Sequence, residues 1–205
     1  MTPWAEPFVD VACANAEAWF RAAPRFANRV NLGTVVGYRG PSLLSEHDCV
    51  IHFARHLHDA GVPWEDMHYE ISLSKWMFSP PHPAASGVDP RWRVDLALVR
   101  QDDLLAARFP TSDASVRFEA FFEFAYLGDY WTLPGADPYG APKSGRKKVE
   151  ADIEKVSRRY VMSGVSRLGY VVVFEECDWG FPVDFGAQME AQHPGSLIRF
   201  VRAWR

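Results

Sequence analysis

Between two strand-like runs, Val116 to Leu127 and Tyr170 to Glu175, the chain carries one strong amphipathic helix, about Lys147 to Gly164. Its apolar residues Val149, Ile153, Val156 and Tyr160 recur at helical spacing and need a surface to cover. A helix between two strands serves as a crossover, and a crossover sets the strands it joins parallel. Two more strand-like runs come earlier, roughly His68 to Phe78 and Trp92 to Val99, and a last one lies near Leu197 to Trp204. Ahead of them Ser45 opens a helix: Asp48 follows three residues on, as in a capping box, and Gly61-Val-Pro63 ends the run. Glu46, Val50, Phe53, Ala54 and Leu57 share one face of that helix. The order of helix, three strands, helix and strand predicts an α/β domain, a mixed central sheet flanked by helices.

The remaining segments are less regular. Glu6 to Val30 reads as helix broken or kinked at Pro24, and Asn31 to Pro41 as a connector or a short strand. Ser79 to Pro90 and Gly128 to Gly145 read as long loops, a kind more often functional than idle. With 205 residues the chain fits a single domain, an N-terminal helical segment over about 5–30 and a core over about 43–205. No apolar run approaches the roughly 20 residues of a membrane span. Met1-Thr-Pro-Trp-Ala-Glu6 lacks the basic start and apolar core of a signal peptide. Cys13, Cys49 and Cys177 are widely spaced and form no CxxC pair. They predict reduced thiols and a cytoplasmic setting.

The chemistry is carried by three carboxylates in unexpected places. Glu46 lies on the apolar stripe of its helix, Asp95 interrupts Arg93-Val-Asp-Leu-Ala-Leu-Val99, and Glu123 interrupts Phe121-Phe-Glu-Phe-Ala-Tyr126. Buried carboxylates are costly unless they pair or bind a cation. Three of them, arriving from a helix and two strands, suit a hard, oxygen-loving metal such as Mg²⁺ or Mn²⁺.

In order and element type this pattern resembles the PD-(D/E)XK nuclease superfamily, the restriction-endonuclease-like fold, over roughly Ser45 to Glu176. The matching pieces are Ser45-Glu46-His-Asp-Cys-Val50, Val94-Asp95, Glu123-Phe-Ala125, Asp152-Ile-Glu-Lys155 and Gly169-Tyr-Val-Val-Val-Phe174. The resemblance implies a divalent-metal-dependent nuclease. Asp95 and Glu123 would be core Mg²⁺ (or Mn²⁺) ligands, and Glu46 a further ligand or an orienting group. Two departures stand out: Val94 occupies the proline position and Ala125 the lysine position. Three accounts of Ala125 stay open. The lysine has moved to the next helix, where Lys148, Asp152 and Lys155 share a face; it has been lost in a non-catalytic relative; or it has been replaced by an engineered Lys→Ala change.

A net charge of -4 gives no global attraction to nucleic acid, but the charge is uneven. Lys143, Arg146, Lys147, Lys148, Lys155, Arg158 and Arg159 crowd one segment, and Arg199, Arg202 and Arg205 decorate the C-terminus. Lys143-Ser-Gly-Arg-Lys-Lys148, read as lying just before a helix N-terminus with a flexible glycine, is a candidate phosphate contact. Trp76, Trp92, Tyr130, Trp131 and Tyr139 are candidate base-stacking residues. The expected partner is nucleic acid, DNA in preference to RNA, without a membrane; a homodimer or larger assembly stays open.

Each residue also has a purely structural account. Glu46 in a first helical turn favours the positive end of the dipole, Asp95 could pair with Arg91 or Arg93, and Glu119 and Glu123 could both face solvent. Lys148 and Lys155 could form a solvated helix face paired to Asp152. His52 and His56 have zinc-capable i, i+4 spacing, but no HExxH motif and no cysteine pair joins them. Two functions therefore stay open: an Mg²⁺-dependent nuclease, weakened or inactive with Ala125, or a catalytically dead nucleic-acid-binding or assembly subunit on the same fold.

Overall fold

The computed structural model describes residues 4–22, 45–72, 93–103, 118–128, 140–162 and 164–204. Their elements in chain order are α1 (Glu6–Ala22), α2 (Glu46–Ala60), β1 (Met67–Ser72), β2 (Arg93–Leu98), β3 (Phe118–Leu127) and α3 (Gly140–Lys155). A π-helical turn, Val156–Val161, continues α3 and is followed by β4 (Ser166–Glu175), α4 (Phe185–Gln192) and β5 (Ser196–Arg202). Five strands form one sheet in the order β1-β2-β3-β4-β5. The pairs β1–β2 and β2–β3 are antiparallel, whereas β3–β4 and β4–β5 are parallel. α3 is thus the crossover that its position predicts, and α4 is a second one.

Helices cover both faces of the sheet. On one face Val9, Ala16 and Phe20 of α1 and Val50, Phe53 and Leu57 of α2 share a buried cluster with Leu96, Phe122, Phe124, Tyr170 and Phe174. On the other, Val149, Ile153, Val156 and Tyr160 join Phe185 of α4 over Phe121, Ala125, Val171 and Val173. The alternation of β3 residues between the clusters follows from the two-residue period of a strand. Each buried aromatic or branched side chain contributes roughly 1.5–3 kcal/mol, so these two layers dominate the stability of the domain. Among the described residues no helix is long and apolar enough to cross a membrane.

Pairing along β3 is unequal, and this creates the site. With β4 it is paired from Phe118 to Leu127, but with β2 only Ala120, Phe121 and Phe122 are in register. Beyond Phe122 the seam between β2 and β3 is open.

Several boundaries differ from the sequence expectation. α3 begins at Gly140, not near Lys147, so the last six residues of the expected Gly128–Gly145 loop are helical. Pro142 sits in the first turn, where its missing N–H costs nothing. β4 starts at Ser166, before Tyr170, and α4 was not anticipated. α1 ends at Ala22 within the described residues, and β1 is seen to Ser72. Ala23 to Val30, the connector through Pro41, Leu73 to Phe78, the Ser79–Pro90 loop, Arg91, Trp92, Val116, Arg117, residues 129–139 of the Gly128–Gly145 loop and Arg205 lie outside the described residues.

Gly169 explains how the π-helical turn seats on the sheet. A Cβ at Gly169 would overlap Val156 Cγ1, and one at Gly195 would overlap Val161 Cγ1. The two glycines form a saddle for the first and last residues of the turn. Gly169→Ala is expected to destabilise the fold by about 1–3 kcal/mol through overpacking, read as a lower midpoint in urea at unchanged slope.

Candidate active site

The open seam between β2 and β3 is furnished with charged side chains. Ser45 caps α2 (Ser45 N donates to Asp48 Oδ2 at 2.8 Å, Asp48 N to Ser45 Oγ at 3.2 Å), which fixes Glu46 at the first helical position. From there Glu46 Oε2 accepts the Tyr126 amide at 3.2 Å. Asp95 Oδ2 accepts the Phe124 amide at 2.8 Å. Both amides belong to the stretch of β3 that β2 no longer pairs, so two of the three predicted carboxylates satisfy donors that would otherwise lack a strand partner. Extending the β2–β3 register by one position sets Asp95 opposite Glu123, on the same face of the sheet.

Glu123 is the most enclosed of the three, its side chain only 5% exposed. Oε2 takes the Lys155 ammonium at 2.6 Å and Oε1 takes the Tyr160 hydroxyl at 2.9 Å. Burial, then the facing Asp95 carboxylate, push the Glu123 carboxyl up to about 7 against the pull of Lys155 and Tyr160. Burial also raises Asp95 and Asp152. Lys148 joins the second half of the site, with Nζ 3.2 Å from Glu46 Oε2, 3.3 Å from Asp152 Oδ2 and 3.4 Å from the Phe124 carbonyl. Burial pulls the Lys148 ammonium down, but Asp152 and Glu46 outweigh it and hold it above its ordinary value.

The lysines of α3 thus reach the seam. The solvated-face account fits Lys148 in part, since its side chain is 41% exposed and paired with Asp152, but it fails for Lys155, 25% exposed and turned onto Glu123. Ala125 lies on the Glu123 side of β3 and is 0% exposed, within the apolar cluster that contains Val149 and Ile153. The solvent-facing account of Glu119 and Glu123 is overturned. Both are buried, and Glu119 accepts the Trp4 and Ala5 amides at the start of α1. Arg93 approaches Glu70 at 3.9 Å instead of Asp95.

The basic run does not precede a helix; it occupies the first turns of α3. Lys143 and Lys147 are exposed, while Arg146 donates to the Gly180 carbonyl at 3.0 Å. Gly145 is no hinge: a Cβ there would overlap the Trp179 ring, so glycine lets α3 approach that indole. Arg158 pairs with Glu154 at 2.7 Å, Arg199 with Asp10 at 3.0 Å and Arg202 with Glu175 at 2.6 Å. Of the aromatic candidates, Trp76, Trp92, Tyr130, Trp131 and Tyr139 all lie outside the described residues. His52 stacks on Trp19 at 3.9 Å, as expected of a helix-packing histidine.

A cleft of about 280 Å³ opens beside the seam, lined by Ser45, Glu46, His47, Val50, Tyr69, Glu70 and Asp95. Tyr69, Glu70, Asp152 as a site carboxylate, and the hydroxyl of Tyr160 were missed in the sequence. Tyr160 sits at core spacing and reads as an apolar residue there. Glu70, with φ 45°, is the one non-glycine residue of positive φ among the described residues, which no local pattern announces.

The oxygen donors suit a hard cation. Among the described residues no group of three or more His, Cys, Asp or Glu side chains stands ready to hold one. Both ammoniums already sit against the carboxylates, and Lys155 would have to leave Glu123 Oε2 for an ion to share it. Comparison with known proteins found no matching family model, no matching curated protein and no matching solved structure.

Proposed function

We propose that this protein is a divalent-metal-dependent nuclease of restriction-endonuclease-like architecture, with its catalytic lysine supplied by the crossover helix. The observation that carries the proposal is the contact of Lys155 Nζ with Glu123 Oε2 at 2.6 Å, across from Asp95 in an open seam of the sheet. The element order around the seam, α2, β1, β2, β3, α3 and β4, supports the same architecture. Glu46, Asp95, Glu123 and Asp152 against Lys148 and Lys155 leave two negative charges when all are ionised, the complement of one divalent cation.

Asp95 and Glu123 would hold Mg²⁺ or Mn²⁺, with Glu46 at its edge; when bound, the ion supplies charge neutralisation at the phosphate and a more acidic water. The chain supplies the rest. Phe124 and Tyr126 amides fix the carboxylates of Asp95 and Glu46. Tyr160 fixes one oxygen of Glu123, and Lys155, once released from the other, presents an ammonium to a phosphate oxygen. Lys143 and Lys147 offer exposed positive charge to the backbone of a nucleic-acid strand.

The direct test is incubation of the purified chain with single- and double-stranded DNA and RNA in Mg²⁺ or Mn²⁺. Cleavage that EDTA stops and Asp95→Ala abolishes is the expected result. A second reading, a non-catalytic nucleic-acid-binding subunit, is favoured by the way both lysines are already paired with site carboxylates. Binding without cleavage of any of these substrates in either metal would make it the better one.

A further inference from the structure

Both oxygens of Glu123 are held by one short stretch of chain. Lys155 reaches Oε2 at 2.6 Å and Tyr160 reaches Oε1 at 2.9 Å. The same two side chains also approach the Arg93 carbonyl, at 3.3 Å and 3.2 Å, at the start of β2 and two residues before Asp95. In an α-helix, side chains five residues apart point about 140° away from one another. Two such residues would not serve one carboxylate.

Here the winding changes between them. Val156–Val161 is π-helical, and Met162 N donates to Ser157 O at 2.9 Å, a bond spanning five residues. With about 4.4 residues per turn, the wider winding cuts the angle between Lys155 and Tyr160 to roughly 50°. A π-helical turn is rare and needs support from outside the helix. Val156 and Val161 rest on Gly169 and Gly195, where a side chain would collide, and Ser157 Oγ donates to the Pro194 carbonyl at 3.2 Å. Sequence elements on β4 and before β5 therefore maintain the local unwinding.

We propose that this π-helical turn is a positioning device for the candidate metal site: it brings Tyr160 beside Lys155, so that the Tyr160 hydroxyl orients the Glu123 carboxylate while Lys155, donating to both Glu123 and the Arg93 carbonyl, ties it to the strand of Asp95. The inference rests on the metal-site reading above. Tyr160 is fully buried, so it acts through Glu123. Its ring also packs edge-on against Phe121 at 4.9 Å, a core role that phenylalanine would keep. Tyr160→Phe thus removes the hydroxyl and leaves the packing.

Mn²⁺ affinity of the full chain, measured by calorimetric titration, is expected to fall at least about tenfold in Tyr160→Phe. The melting temperature should change by no more than a few degrees, and kcat for an oligonucleotide should fall while KM holds. Gly169→Ala, which displaces the turn with Tyr160 intact, should weaken Mn²⁺ binding as well. Equal Mn²⁺ affinity in Tyr160→Phe and the parent overturns the positioning role and leaves the metal site standing. A parent chain that takes up no Mn²⁺ overturns the metal site and this inference together.

Discussion

Lys155→Ala is expected to lower Mg²⁺-dependent cleavage about a thousandfold, the typical effect of removing a donor aimed at charge developing in a transition state. The two lysines of the site differ in what they touch. Lys155 bonds to Glu123, the buried carboxylate opposite Asp95, and to the Arg93 carbonyl. Lys148 bridges Glu46 and Asp152 farther along the seam and is more exposed. Its loss should cost about tenfold, the size expected for a group supporting a ligand. The discriminating measurement is single-turnover cleavage by Lys155→Ala, Lys148→Ala and the parent at saturating Mg²⁺. Equal rates for Lys155→Ala and the parent would show that the ammonium on Glu123 is an ion pair of the fold and no part of the chemistry. The reverse ranking would transfer the catalytic role to Lys148.

The second large effect is on stability. Glu123→Gln should melt several degrees above the parent at pH 8 in EDTA, and the gap should close at pH 5. The sign follows from the carboxyl's proton affinity. Its folded value is raised to about 7 from an ordinary 4.5, so folding favours the protonated form. Stability from that preference is fully present below about 4.5 and is lost as pH rises through 7. At pH 8 the loss is complete and amounts to about 3 kcal/mol. Glutamine mimics the protonated carboxyl and titrates nowhere in this range. Thermal melts across pH 5–8 check the slope, and added Mn²⁺ should raise the parent's midpoint but not the variant's. If Glu123→Gln melts lower than the parent at pH 8, the Lys155 pair outweighs the cost of burial.

The parts of the site legible in the sequence are those where a charge breaks an apolar period. Asp95 and Glu123 interrupt strands, Glu46 sits on a helical stripe, and Lys148 and Lys155 flank the stripe of α3. Their expected elements are the ones they occupy. The illegible parts depend on backbone geometry that side-chain periodicity does not encode. Val149, Ile153, Val156 and Tyr160 are spaced as any α-helical stripe would be, yet the winding changes after Lys155 because of glycines elsewhere in the chain. Gly140, Pro142 and Gly145 look like loop residues, and only the approach of Trp179 explains a helical glycine there. α4 has a small apolar face and no strong caps, so the requirement for a crossover between β4 and β5 was its only herald. Glu119 alternates with Glu123, and nothing local says that the distant start of α1 will cover it.

The amides of Phe124 and Tyr126 have a consequence for how a site like this would age. Asp95 and Glu46 plug gaps in the backbone bonding of β3, so a descendant in which the site did no chemistry would still leave two strand amides without these acceptors by discarding them. Selection for folding alone would keep both acids in place long after catalysis had gone. Lys155 is held less firmly: it is partly exposed, and the Arg93 carbonyl that it reaches also has the Tyr160 hydroxyl at 3.2 Å, so it is the residue a silent descendant could shed first. In any set of relatives, then, the acids would trace shared ancestry, and the fate of the lysine would separate working enzymes from their inactive kin.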